Sequence, residues 1–176
     1  MNEWRRRLMQ LERQASATTT TYTNIMNTCK QLIEDGEQKL TVSRISAAAA
    51  VSRKTLYTYF HDKDDIIHHI IYRDMMQPMN ELRKLSVPMS VMLRALYEHV
   101  YNERAFYENL HFYMARSELT ALLMTYVHAI VDEQLRDAND YTIHFYASGY
   151  VQTLLKWLDD GMPISPEQLI SHISSL

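Results

Sequence analysis

The stretch LTVSRISAAAAVSRKTLYTYFHDKDDII, residues 40–67, decides how this chain is read. Thr41 is a good N-cap for a short helix over about 42–49, with Val42, Ile45, Ala48 and Ala49 turned inward. A turn at Ala50 and Val51 follows, and Ser52 caps a second short helix over about 53–59 carrying Leu56, Tyr59 and Phe60. Asp62 caps a third, with Asp65 at its third position as a capping partner and apolar pairs at Ile66/Ile67 and Ile70/Ile71. Two short helices joined by a tight turn have the layout of a helix-turn-helix.

The second helix of that pair opens with Arg53, Lys54 and Thr55, the positions that reach base edges when such a helix enters a major groove. Arg53 can donate two hydrogen bonds to guanine, and Lys54 suits guanine or phosphate. The hydroxyls of Thr55 and Tyr57 suit phosphate oxygens. Thr41, with Ser43 beside it, stands at the mouth of the preceding helix, and Lys63 opens the next. Ser52, Arg53, Lys54, Thr55, Tyr57 and Tyr59, with Thr41, Ser43 and Lys63, are therefore the expected DNA-contacting set. Val42, Ile45, Ala49, Val51, Leu56 and Phe60 serve as core under any reading.

Working outward, residues 1–63 hold ten basic and six acidic side chains, a net +4, while residues 64–176 hold eight and fifteen, a net −7. The overall −3 of the 176-residue chain thus conceals a basic third, as expected of a polyanion-binding module joined to something else. Three glycines, Gly36, Gly149 and Gly161, are too few and too scattered for a phosphate loop or dinucleotide fingerprint. The single Cys29 excludes a disulfide framework and a Cys-clustered zinc site and suits a reducing compartment. No signal-peptide pattern and no long apolar run occur, so no membrane partner is expected. Arg5, Arg6 and Arg7 lie in a weakly amphipathic segment and serve either as an arm into the minor groove or as a solvated face.

Helical punctuation dominates the rest. A helix is expected from about Thr20 to Asp35, stopped by Gly36. Pro78 should kink or end the helix that begins after Asp62. Further helices are expected over about 89–102, 104–115, 118–137 and 140–160, the last with Ile143, Ala147, Tyr150, Val151, Leu154 and Leu158 as its apolar stripe. Gly161 stops it, and Ser165, Pro166 and Gln168 start a final helix with Leu169, Ile170, Ile173 and Leu176 on its apolar side. The class is all-α. The eight histidines form no HExxH pattern; His99 and Glu103, four residues apart, suit a metal or an ordinary surface. No enzymatic signature, cofactor or metal site is expected.

The segment at 40–67 resembles the DNA-binding signature of the TetR family of bacterial transcriptional regulators. Thr41, Val42, Ile45, Ala49, Val51, Ser52, Thr55, Leu56, Tyr57, Tyr59, Phe60 and Lys63 fall in register with it. Ser46 stands where an alanine is usual, and Ala50 where the turn glycine is usual. The tract FYASGYVQTLLKWLDDGMPISPEQL, residues 145–169, is similar to the C-terminal domain of a short TetR-type subgroup that includes dihydroxyacetone kinase operon activators.

The resemblance implies a helix-turn-helix module over 1–63 and a helical effector and dimerisation domain over 64–176. It implies a homodimer on double-stranded operator DNA, acting in the cytoplasm at the nucleoid as a repressor. The effector is a small apolar ligand or a protein coeffector, whose binding tilts the boundary helix. Its pocket is expected among Tyr72, Met75, Met92, Tyr97 and Tyr101 together with Phe112, Tyr113, Met124 and Tyr146, and the dimer surface at Ala147, Gly149, Tyr150, Leu154, Trp157 and Leu158. The competing class is an all-α interaction protein, a coactivator-dependent activator with weak or no operator binding of its own.

Overall fold

A computed structural model describes residues 19–174. The Arg5–Arg7 segment and Leu176 lie outside the described residues. Within them the chain is helical: α1 Thr20–Glu34, α2 Val42–Ala48, α3 Arg53–Tyr59, α4 Lys63–Ile71, a π-helical turn Tyr72–Met76, α5 Gln77–Lys84, α6 Met89–Asn102, α7 Arg104–Leu110, α8 Arg116–Gln134, α9 Asp140–Asp159 and α10 Pro166–Ser174.

The caps form as the sequence directs. The hydroxyls of Thr19, Thr41 and Ser52 accept the amides of Tyr22, Arg44 and Thr55, and Asp62 accepts that of Asp65. Asp65 reaches back to the amide of His61, closing a reciprocal cap one residue wider than the usual box. Ser165 and Gln168 cap α10 reciprocally. At the end of α1, Gly36 has φ +69° while its amide bonds to Ile33 and that of Glu37 to Leu32. This is the left-handed helix stop that glycine allows without strain. The same pair of bonds ends α2, Ala50 to Ala47 and Val51 to Ser46, yet Ala50 carries the left-handed backbone at φ 54°.

Two expectations change and a third, at Pro78, is narrowed. Ala48 is exposed, and Ser46 takes the inward position with its hydroxyl bonded to the carbonyl of Ser43. Of the kink or end expected at Pro78, the end does not occur. The turn before it widens, with the amide of Gln77 reaching Tyr72, and α5 continues with the proline in its first turn. The helix expected over about 104–115 stops at Leu110, where turns lead into α8. Gly149 has open space beside it, since a Cβ there would meet nothing within 4 Å.

From Asp65 to Ile71 every residue of α4 is buried. A helix with no face to water must be covered on all sides. The head, α1 to α3, covers one side: the hydroxyl of Tyr22 lies 2.6 Å from Nδ1 of His69, and Phe60 stacks on Tyr22 with ring centres 5.0 Å apart. The body covers another, with Glu118 of α8 2.9 Å from Nε2 of His68. Buried side chains form one continuous core from Tyr22 to Leu169. Burial pushes the Cys29 thiol up to about 12, so it stays protonated.

Lys30 of α1 meets Asp74 of the π turn at 2.9 Å and Glu103, between α6 and α7, at 2.8 Å. Burial opposes ionisation of both Lys30 and Asp74, but hydrogen bonds to opposite charges win: the ammonium is held above its usual range and the Asp74 carboxyl below. Beside them, burial holds His99 below the ordinary value of 6.5 despite the nearby carboxylates, and its Nε2 lies 3.0 Å from the Tyr107 hydroxyl.

Replacing Ala50 with glycine removes the left-handed strain and should raise stability by about 0.5–1 kcal/mol, a rise in Tm of roughly 1–4 °C. An unchanged or lower Tm in calorimetry would contradict this. Because the His99 pKa is lower folded than unfolded, the unfolded state takes the proton first, and stability from this site is full above pH 6.5 and lost on acidification. His99→Gln should therefore flatten the dependence of Tm on pH between about 7 and 5 relative to the parent. A slope equal to the parent's would remove His99 from the account.

Candidate nucleic-acid interface

Burial of Ile45, Ala49, Leu56 and Phe60 fixes α2 and α3 against α1, leaving the first turn of α3 facing water. Asn24 of α1 secures the turn between them by donating to the carbonyl of Ala49 at 2.9 Å, satisfying one of the free acceptors at the end of α2.

Arg53 and Lys54 are exposed at the start of α3, and among the described residues neither makes an ion pair. Most basic groups of the body behave differently: Arg73, Arg83, Lys84, Arg104, Arg116 and Lys156 each sit against a carboxylate. Tyr57 is 56% exposed on the same helix. Thr41 and Ser43 are exposed at the start of α2. The other nominated residues are more occupied. Ser52 caps α3 and shares a 2.8 Å hydrogen bond with the Thr55 hydroxyl. Tyr59 is half-buried, edge-on to Tyr22 at 6.2 Å. Lys63 donates to Asp64 and to the carbonyl of Tyr113, so its ammonium is drawn toward the body.

Sequence reasoning passed over Arg44 and Asn24. Arg44 is exposed beside Ser43, and its Nε donates to Glu37 at 2.7 Å, which holds the Glu37 carboxyl below its usual range. No local signal marks Asn24, whose acceptor lies 25 residues away.

The residues expected to line a pocket differ widely in exposure. Tyr72, Met75, Met92 and Tyr97 are core, Tyr97 also donating to the carbonyl of Tyr150 at 2.9 Å. Tyr113 and Met124 are half-buried, while Tyr101, Phe112 and Tyr146 are exposed. Tyr101 stacks on Trp157 at 5.9 Å. Of the nominated dimer positions, Ala147, Leu154, Trp157 and Leu158 are buried in the chain's own core, Tyr150 is half-buried and only Gly149 is exposed. The outward side of α9 is instead Tyr141, Phe145 and Gly149, four residues apart, with Tyr141 89% and Phe145 73% exposed.

A compact three-helix head with an exposed, basic second helix of a helix-turn-helix, mounted on a larger helical body, defines a DNA-binding regulator of transcription. Residues 26–70 match the family described as "Bacterial regulatory proteins, tetR family", and residues 89–176, half of the chain, match the "Transcriptional regulator C-terminal region" of such proteins. The chain belongs to the TetR family, with a DNA-binding N-terminal part and a C-terminal domain of the kind found in the dihydroxyacetone kinase operon activator DhaS. The family is one of transcriptional regulators rather than enzymes.

The solved structure of DhaS has a TM-score of 0.69 at 17% identity, over 90% of this chain and 94% of that one. The fatty acid degradation regulator FadR from Bacillus halodurans has 0.62 at 17%, over 90% and 95%. At that identity the likeness is one of fold. No curated protein matches the sequence. Among the described residues no helix is long and apolar enough to cross a membrane.

Proposed function

We propose that this chain is an operator-binding repressor that works as a homodimer and is released from DNA by an effector. The observation that carries the reading is the pair Arg53 and Lys54, exposed at the start of α3 and without an ion pair among the described residues, whose other cations mostly sit against carboxylates. An unpaired guanidinium on a helix presented to the groove is free to read guanine bidentately, and a neighbouring ammonium to hold phosphate. Thr41, Ser43 and Tyr57 flank them as backbone contacts. Thr55 and Ser52 support the helix start, and Tyr59 supports the head's core.

The dimer surface in this reading is the outward stripe of α9, Tyr141, Phe145 and Gly149, continued by an apolar groove of about 520 Å³ between α9 and α10 lined by Thr153, Trp157, Ile164 and Leu169. Exposed aromatic side chains in a continuous patch are the usual mark of such a surface. The effector site is a slot of about 490 Å³ between α7, the start of α8 and the end of α9. Its floor is Tyr107, Leu110, Met114, Leu119 and Leu158, and Arg116 and Asp159 stand at the rim. Its volume and apolar floor suit a small, largely apolar molecule.

With an operator selected from random duplex DNA, Arg53→Ala should cost about 1–3 kcal/mol and relax preference at one base pair. Lys54→Met should weaken all sequences alike and reduce the salt slope by about 1. Retention of both affinity and preference in Arg53→Ala would sink the base-reading assignment, and transcription raised rather than lowered on the bound template would make the protein an activator. Phe145→Glu should leave a folded monomer by light scattering at micromolar concentration. If it stays dimeric with the parent's dissociation constant, the dimer surface lies elsewhere.

A further inference from the structure

The body grips the head at points that the boundary helix α4 does not provide. The side-chain amide of Asn109, near the end of α7, donates to the carbonyls of Ile33 at 3.0 Å and Glu34 at 3.2 Å. These are among the last carbonyls of α1; that of Ile33 also accepts the Gly36 amide, and Asn109 adds a second bond there and caps Glu34 from another part of the chain. Four residues on, the Tyr113 hydroxyl donates to the carbonyl of Glu37 at 2.5 Å. Glu37 in turn holds Arg44 of α2, next to the nominated contact Ser43. Upstream, Glu103 pairs with Lys30 of α1. Residues 103–113 therefore hold residues 30–37 at three places, and one of those places leads directly to the helix that precedes the reading helix.

We infer that Asn109 and Tyr113 are positioning residues that fix the angle of the head on the body and so set the half-site spacing the dimer accepts. This rests on the dimeric operator-binding reading above. Two heads must meet successive major grooves about 34–36 Å apart, so any freedom of each head at its joint spreads the distance between the reading helices. A hydrogen bond to backbone carbonyls is directional, and two such bonds from one amide add an orientational constraint to the apolar packing of α7 on α1. The helix that carries Asn109 also contributes Tyr107 and Leu110 to the slot between α7, α8 and α9.

The test uses the full chain and an operator selected by the parent protein from random duplex DNA, in three versions: as selected, and with one base pair added or removed between the half-sites. Asn109→Asp keeps the shape of the side chain but replaces the donor with an acceptor facing two carbonyls, and Tyr113→Phe removes only a hydroxyl. Both should remain dimeric. Both should bind the selected operator several-fold more weakly and show a smaller penalty for the altered spacings than the parent.

Asn109→Asp binding like the parent at all three spacings would overturn the inference. So would a loss that is equal at all three, since that is what a merely destabilised head would give. A parent protein that selects no sequence at all would bring down the operator-binding reading itself, and this inference with it, and is distinguishable from either result.

Discussion

A helix without a wet side organises this protein. From Asp65 onward α4 buries every side chain, including two adjacent histidines. Successive positions on a helix point about 100° apart, so His68 and His69 necessarily face different neighbours. One meets Glu118 of the body and the other meets Tyr22 of the head. Burial on that scale is the strongest stabilising term available to a chain of this size. It joins the helix-turn-helix head to the helical body through a single continuous core.

Around that apolar weld the polar groups are used mainly to close helix ends. Asn24 closes α2, Asn109 closes α1, and Arg116 donates to the carbonyl of Leu155 in α9. Asn24 and Asn109 reach carbonyls at helix ends, Arg116 adds a bond to one that already serves its helix, and each contact spans a large sequence separation. Packing decides how much surface is buried, whereas these directional bonds decide the angles between elements. The ion pairs of Lys30 cross the same junction, where partial burial leaves them less screened by salt than surface pairs.

The reader head was legible in the sequence because each of its signals is local. N-caps lie within three residues of the amides they accept, apolar spacing repeats within a turn, and Arg53 and Lys54 follow their cap directly. Even the strained turn could be anticipated, since Ala50 occupies a position whose backbone bonds demand a left-handed residue. The body was harder. A stripe such as Ala147, Leu154, Trp157 and Leu158 reads identically whether it faces the chain's own core or a second copy, and periodicity carries no information on which. Aromatic and methionine side chains likewise look the same as core and as pocket lining, which is why Tyr97 proved to be core and Phe112 surface.

The sequence by itself determined the all-α class, the caps, the helix-turn-helix and the family, because these follow from chemistry within one or two helical turns. Only the tertiary structure decided which face of α9 is left outward, that the helix carrying Pro78 runs on through a widened turn, and that α7 lies along α1 with Asn109 at its end. Those outcomes depend on which buried surfaces find each other over separations of up to 76 residues, and no local pattern encodes that choice.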